Sequence, residues 1–143
     1  MEESHYRKLE KMYASAPINN IYHPEMMVGK GKSEITITIC PEFFHAAHAV
    51  HGSVYFKMLD DAAFFAVNSL VQDVFVLTVS FNIYLIRPVT EGKLISRGRV
   101  VNESKRLYIA ESELFDSNGK IIARGSGTFM KSGISLSAEV GYI

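Results

Sequence analysis

The sequence predicts an α+β fold, with an antiparallel sheet of five to six strands wrapped around one long central helix. Three observations lead to this prediction. One run, Val54 to Leu70, lacks Gly and Pro and keeps apolar side chains at helical spacing. Shorter segments on either side of it alternate apolar and polar residues and are separated by turns. The length of 143 residues suits a single domain.

The elements before the long helix are predicted to be a short peripheral helix and a hairpin. Residues 2–14 place apolar side chains at helical spacing, and Ala16-Pro17 ends the pattern because a residue before proline avoids the helical conformation. Met26 to Val28 and Ser33 to Cys40 then flank a glycine-rich turn, which favours a hairpin. The second of these strands has one apolar face.

The long helix is predicted to begin near Ser53. Gly52 provides a flexible entry, and the Ser53 hydroxyl is a typical N-cap group. The helix would be about 25 Å long at about 1.5 Å per residue, which is enough to cross a small domain.

Two adjacent carboxylates, Asp60 and Asp61, lie in the middle of this helix and face different surroundings, since neighbours differ by about 100° around the axis. Asp61 shares a polar stripe with Lys57 and Asn68, which predicts that it is the more solvated one. Asp60 has a phenylalanine four residues to either side. Desolvation by these rings would suit Asp60 to accept a proton. The alternative is that both acids are surface charges.

Four strands are predicted after the helix, forming a meander over residues 75–86, 93–103, 106–115 and 120–131. The odd residues of the first are apolar and are expected to pack on the helix. Its even residues include Thr78, Ser80 and Asn82, which face solvent, a second subunit or a ligand. The predicted organisation is a helix and lead-in over 1–18, the main domain over 19–131 and a loosely held tail over 132–143.

Composition excludes several classes of protein. Basic and acidic residues number 15 each, so no general basic field favours nucleic acid as a partner. The sequence shows neither an apolar run of membrane-spanning length nor a signal-peptide pattern, and we expect a soluble cytoplasmic protein. Cys40 is the single cysteine and is expected to pack as a small hydrophobe. One helix leaves one sheet face bare, which predicts at least a homodimer.

Three histidines, His45, His48 and His51, are spaced by three just before the helix. Three imidazoles can hold zinc, but the segment has no nearby acidic or thiol ligand in a zinc-binding pattern. We therefore expect hydrogen-bonding loop histidines and no metal.

His51-Gly52-Ser53 followed by Asp60 resembles a motif of the hotdog-fold acyl-CoA thioesterases, in particular the type associated with phenylacetate degradation. That type carries His-Gly-Gly and an acid nine residues after the histidine. The resemblance covers about residues 20 to 131, including the strand that ends at Pro88 and the segment Ile122-Ala123-Arg124-Gly125. It implies a hotdog fold with active sites between two subunits.

The resemblance also implies roles for individual residues. Asp60 would activate water or attack the thioester itself, and the amides of Gly52 and Ser53 would donate to the carbonyl oxygen. Thr78 falls where a partner strand often contributes a hydroxyl, and the Ser104-Lys105-Arg106 turn falls where the phosphates of CoA are often bound. The residues expected at the substrate are His45, His51, Asp61, Thr78, Ser80, Lys105 and Arg106.

Three residues depart from the family pattern. Ser53 replaces a glycine, His45 replaces the asparagine six residues before the motif histidine, and His48 replaces a glycine. A bulkier imidazole at position 45 would change the geometry of the reacting groups. The departures are compatible with a shifted substrate, a weak enzyme or one that has lost activity.

The resulting hypothesis is a thioesterase that hydrolyses medium-chain or aromatic acyl-CoA as a homodimer or homotetramer. It needs no cofactor, since CoA is part of the substrate. The alternatives are a non-catalytic acyl-CoA sensor and a hotdog-fold hydratase, whose usual spacing of Asp and His differs. The sequence does not specify the acyl group, or whether the carrier is CoA or an acyl carrier protein.

Overall fold

The computed structural model describes residues 2–143 and confirms the predicted α+β class. The helices are α1 (Glu2–Ser15), α2 (Asn19–Tyr22) and α3 (Gly52–Asn68), with short 3-10 turns at Pro41–Phe43 and Ala138–Val140. The strands are β1 (Glu25–Gly29), β2 (Lys32–Thr38), β3 (Val74–Leu85), β4 (Lys93–Glu103), β5 (Tyr108–Phe115) and β6 (Ile121–Ser135). All strand pairs are antiparallel, in the order β1-β2-β4-β5-β6-β3.

Helix α3 packs closely on the middle of the sheet because small residues lie beneath it. A side chain at Gly98 in β4 would overlap the carbonyl group of Ala62. Ser33 of β2 donates a hydrogen bond to the Ala62 carbonyl (2.6 Å), and Ser112 of β5 donates to the Leu59 carbonyl (2.7 Å). The sheet therefore fixes both the depth and the rotation of α3, on which the two acids lie.

The predicted four-strand meander is wrong for its first strand. Strands β4, β5 and β6 form a meander, but β3 pairs with β6 at the far edge of the sheet. Gly125 and Gly127 of β6 make this pairing possible, because a Cβ at either position would overlap the ring of Phe81. The other side of β3 has no neighbouring strand among residues 2–143.

The alternation of β3 changes phase at Val79. Val76 is fully buried and Thr78 points inward, whereas Leu77 and Val79 are exposed. A bulge between Thr78 and Ser80 places two residues of β3 against one of β6, and beyond it the odd residues, such as Phe81, face the helix. The prediction that all odd residues of this strand cover the helix is therefore wrong at Leu77 and Val79, whereas Phe75 does pack on α3.

The N-terminal helix and the C-terminal segment are packed together. The helix α1 is not peripheral, since it buries Leu9 completely in the core. Strand β6 continues through Ser135, beyond the predicted start of the tail, and Gly141 packs against α1. Both ring nitrogens of the buried His5 are hydrogen-bonded, one to the Tyr142 hydroxyl (2.8 Å) and the other to the Asn68 carbonyl (2.9 Å).

Helix α1 also contacts the outer edge of β1. Arg7 donates to the Val28 carbonyl (2.9 Å), and the Val28 amide donates to the Glu10 carboxylate (2.8 Å). Arg7 and Glu10 form an ion pair with each other (2.9 Å).

No helix within residues 2–143 is long and apolar enough to cross a membrane.

Candidate active site

Asp60 lies on the face of α3 that packs against β3. The Thr78 hydroxyl donates to Asp60 Oδ1 at 2.9 Å. An aromatic pair lies on each side of this contact, one turn before and one turn after Asp60 along the helix. These pairs are Phe56 with Phe81 (5.8 Å between ring centroids) and Phe64 with Phe75 (5.1 Å). The bulge in β3 matters here, because it allows Thr78 and Phe81 to face the same side of the strand.

This environment makes Asp60 a better base than a solvated aspartate. Burial is the main cause, and together with the smaller effect of the Asp61 charge it raises the pKa of Asp60 to about 6. The Thr78 hydrogen bond and the Lys57 ammonium act in the opposite direction. A carboxylate with this pKa is ionised at neutral pH and accepts a proton more readily than an ordinary aspartate.

Asp61 makes contacts that its polar stripe on the helix does not reveal. Its Oδ2 accepts hydrogen bonds from the Tyr13 hydroxyl (2.7 Å) and the Lys57 ammonium (2.6 Å), and only 19% of its side chain is exposed. The Lys57 ammonium also lies over the rings of Tyr13 and Tyr22. Asn68 is fully buried and holds the end of α3 against β3. Asp61 is therefore engaged in a network that joins α1 to α3.

The start of α3 differs from the prediction in its N-cap. The helix begins at Gly52, and the cap is His51, whose Nδ1 accepts a hydrogen bond from the Ser53 amide (3.0 Å). The Ser53 hydroxyl also contacts this nitrogen (2.8 Å). The Ser53 amide is thus already paired, whereas the Gly52 amide has no hydrogen-bond partner among residues 2–143. Of the two predicted amide donors, only Gly52 is free.

The histidine loop before α3 forms a closed turn. The His45 amide donates to the Ala49 carbonyl, and the His48 amide donates to the His45 carbonyl, each at 2.9 Å. His48 has a positive φ of 68°, a conformation that favours glycine. Within residues 2–143 no three His, Cys, Asp or Glu side chains are grouped to hold a metal ion.

The remaining predicted residues are spread over the sheet. Thr78 contacts Asp60 of its own chain, so this hydroxyl does not have to come from a partner strand. Ser80 is exposed on β3 beyond the bulge. Lys105 and Arg106 are exposed in the β4–β5 turn, where they form no ion pair with residues 2–143. Tyr108, just after this turn, and Thr78 pair with the same residue of β6, Phe129.

A cavity of about 610 Å³ between α1, α3 and the C-terminal segment is not evident from the sequence. Its aromatic wall consists of Tyr13, Phe64, Phe65 and Phe75. Phe64 and Phe75 are also the pair beside Asp60, so the cavity adjoins the candidate base. The sequence does show aromatic residues in α1 and α3, but whether they form one cavity depends on how α1 packs against α3.

Comparisons with known proteins give the family. The model of a family described as the thioesterase superfamily matches residues 47–123, more than half of the chain. The chain belongs to the thioesterase superfamily. The match includes Gly52, Asp60, Thr78 and the β4–β5 turn, whereas His45 lies just before it. Membership supports thioester hydrolysis as the general activity.

Three proteins that are similar to this thioesterase superfamily member in sequence or structure are consistent with the family assignment. A Saccharolobus solfataricus protein that is named provisionally as an esterase is 28% identical over 101 residues, 71% of this chain and 67% of its own length. The E. coli PaaI protein from the phenylacetic acid degradation operon is similar in structure (TM-score 0.86, 19% identity, 95% of this chain and 99% of that one). A Haemophilus influenzae thioesterase gives a TM-score of 0.76 at 16% identity, covering 84% and 85%. These similarities confirm the hotdog fold.

Proposed function

We propose that this protein hydrolyses acyl-CoA thioesters with Asp60 as general base. The observation that carries the proposal is the placement of Asp60 between two aromatic pairs, with its Oδ1 fixed by Thr78 and its pKa raised to about 6. The second carboxylate oxygen is left to orient a water molecule. A base whose pKa lies near neutral is the group that water activation needs.

In the proposed reaction Asp60 takes a proton from water as the water oxygen bonds to the thioester carbon. The carbonyl oxygen becomes negatively charged, and the Gly52 amide at the positive end of α3 donates a hydrogen bond to it. The carbon–sulfur bond then breaks, the carbonyl reforms, and the departing thiolate of CoA takes up the proton. The products are a free acid and CoA.

The Gly52 amide and the Asp60 carboxylate of one chain are too far apart to act on the same thioester. Gly52 and Asp60 are eight residues apart on α3, which corresponds to about 12 Å along the axis. Three contacts would have to join the two groups: from the amide to the carbonyl oxygen, from the carbonyl carbon to the water, and from the water to the carboxylate. Each is about 3 Å long, and the path they form is bent at the carbonyl carbon. They are too short to join these groups. We therefore assign Asp60 and Thr78 to one subunit and the Gly52 amide to its partner.

The open edge of β3 is suited to bring the two halves together. This strand exposes large apolar side chains at Leu77, Val79 and Tyr84, and its outer edge has no partner strand within residues 2–143. Gly52 lies against Leu85, near one end of β3. If two copies of β3 paired antiparallel about a two-fold axis midway between Thr78 and Leu85, Gly52 of one would approach Thr78 of the other.

Two further features support acyl-CoA as the substrate. The 610 Å³ cavity shares the Phe64–Phe75 pair with Asp60, and its aromatic wall suits a medium-chain or aromatic acyl group, although the Lys57–Asp61 ion pair also lines it. The unpaired cations Lys105 and Arg106 lie in the turn at the Thr78 level of the sheet, where they are available to the phosphates of CoA.

A thiol-release assay across short, medium, long and aromatic acyl-CoAs tests the proposal. We expect turnover of a medium-chain or aromatic member and a fall in kcat of about 10² to 10⁴ in Asp60→Asn, the usual contribution of a positioned base. Asp61→Asn is the matched control and should lose much less, provided that thermal melts show both variants to be folded. Tight binding of acyl-CoA without thiol release would instead favour the sensor.

A further inference from the structure

The C-terminal turn, Ala138–Val140, forms one wall of the 610 Å³ cavity together with Gly141. The other walls come from α1, from α3 and from Phe75 at the start of β3. Phe75 belongs to an aromatic pair beside Asp60, so this part of the cavity adjoins the candidate base. An acyl group with its thioester at Asp60 would enter the cavity beside Phe75 and end against another of the walls.

The chain that leads to the C-terminal turn is bonded to the start of β3. The Ser132 hydroxyl donates to the Phe75 carbonyl, and the Leu136 amide donates to the Asp73 carbonyl (3.0 Å). Residues 132–136 therefore run beside Phe75, and the turn follows directly after them. This attachment fixes the turn relative to the aromatic pair next to the candidate base.

The backbone amides of the C-terminal turn are used within it. The Val140 and Tyr142 amides both donate to the Ser137 carbonyl (3.1 Å each), and the Gly141 amide donates to the Ala138 carbonyl (3.0 Å). These N–H groups are therefore not left for a ligand. Val140 is half-buried, packs against the hydrophobic core and lines the cavity. Its isopropyl group suits contact with the hydrocarbon end of an acyl group.

The C-terminal turn is held in place from outside the cavity. The Tyr142 hydroxyl donates to Nδ1 of the buried His5 (2.8 Å), and the Lys8 ammonium lies 5.3 Å from the centroid of the Tyr142 ring. Gly141 has a positive φ of 87° and packs against Ser15 of α1. Because these contacts do not involve a ligand, the turn is a preformed wall that resists displacement by a longer acyl group.

We propose that the C-terminal turn sets the longest acyl group that this protein hydrolyses, with Val140 as a specificity-determining residue. The inference rests on the proposed function, in which the cavity receives the acyl group. Each further methylene that is buried in the cavity raises kcat/KM about fourfold, until the hydrocarbon end meets Val140. One more carbon then has to displace the turn or remain outside the cavity, so kcat/KM stops rising.

Straight-chain acyl-CoAs of increasing length locate this limit through kcat/KM. Val140→Ala removes two methyl groups from the wall, so the chain length of highest kcat/KM should increase by about one or two carbons. Val140→Phe fills the same space with a ring and should shorten it by about two to four carbons. Ile143→Ala is the matched control, because Ile143 is an exposed aliphatic residue near the turn that does not line the cavity. It should keep the wild-type length profile.

A second measurement does not depend on turnover. The affinity of Asp60→Asn for the same series of acyl-CoAs, measured by calorimetry, should also have an optimum chain length. Adding Val140→Ala should move this optimum to longer chains, and adding Val140→Phe should move it to shorter ones. Thermal melts first establish that each variant is folded.

The outcomes separate this inference from the proposed function. If Asp60→Asn is inactive but both Val140 variants keep the wild-type length profile, the role of the turn is overturned and the proposed function stands. If no acyl-CoA releases thiol, the proposed function fails, and the affinities then decide on Val140. Acyl-CoA binding that is absent, or that has the same optimum length with and without the Val140 substitutions, would overturn the inference.

Discussion

Asp60 and Asp61 are neighbours in sequence but differ in chemistry because of what each side chain touches. Asp60 meets aromatic rings and one hydroxyl, whereas Asp61 accepts from both a phenol and an ammonium group. The network of Asp61 also affects the aromatic partner, since burial, followed by the Asp61 charge, raises the pKa of Tyr13 above its usual range. One acid is left with the capacity to accept a proton, and the other is used in structure.

The raised pKa of Asp60 predicts the acid limb of the pH profile. The base is active when ionised, so kcat/KM should fall about tenfold per unit as the pH drops below about 6. The midpoint should be nearly independent of temperature, because the enthalpy of ionisation of a carboxyl group is small. The enthalpy of ionisation of an imidazole is larger, so a histidine base would give a midpoint that shifts with temperature. Asp61→Asn removes a charge that raises the pKa of Asp60, so it should move the midpoint to lower pH. A midpoint that moves upward would contradict this assignment.

Residue-scale predictions from the sequence succeeded where the environment is local. The phenylalanines one turn away from Asp60 are visible in the helical pattern, and the structure places both beside it. The pairing of the Ser53 amide with His51 was not predictable, because it depends on the rotamer of one ring. The family resemblance implied a hydroxyl from a partner strand at the Thr78 position, whereas the structure shows Thr78 in contact with Asp60 of its own chain.

Among the elements, α3 allows the role of one amide to be tested by a single substitution. Gly52→Pro removes the N–H, yet proline is well tolerated at the first position of a helix, and the extended His51 before it suits a following proline. We expect kcat to fall by about 10² to 10³. Gly52→Ala brings the same Cβ contact with Leu85 but keeps the N–H, so it should lose far less. Equal losses in the two variants would show that the Cβ, not the amide, is responsible.

Strand β3 shows why the positions of strands and helices were predicted better than which of their sides are buried. Its residues alternate without interruption through Val79, so the sequence marks the strand but not the bulge that reverses its phase. The N-terminal helix is similar, because its apolar spacing predicts a helix but not the depth to which Leu9 is buried. In both cases the missing information is a contact with a distant part of the chain.

At the level of the whole molecule, a mixture of two inactive variants tests the shared site. Asp60→Asn and Gly52→Pro subunits, unfolded together and refolded, should form mixed dimers in which one of the two sites has both wild-type groups. Random pairing predicts recovery of about a quarter of wild-type activity. The refolded species should have a mass of at least twice 16.0 kDa by light scattering. Sites contained within single chains would recover nothing.

The order of the strands was the part of the fold that the sequence did not determine. Turns predict which strands follow one another closely, as for β4, β5 and β6, but the segment after β3 crosses to another part of the sheet. The glycines of β6 that receive Phe81 reveal the true neighbour only once the pairing is known.

The contact of Arg7 and Glu10 with Val28 has a consequence for how many copies can join. These two side chains occupy both outward hydrogen-bonding groups of Val28, as a further strand would. On β3, at the opposite edge, the Asn68 side chain binds the Val74 carbonyl and the Val76 amide in a similar way, but no side chain within residues 2–143 bonds to the β3 backbone after Val76. A sheet with two open edges can add copies without limit and grow into a fibre. With one edge obstructed, the proposed pairing of β3 with β3 would use up both open edges at once. Growth of the sheet would then stop at a pair, and any larger assembly would form through its faces.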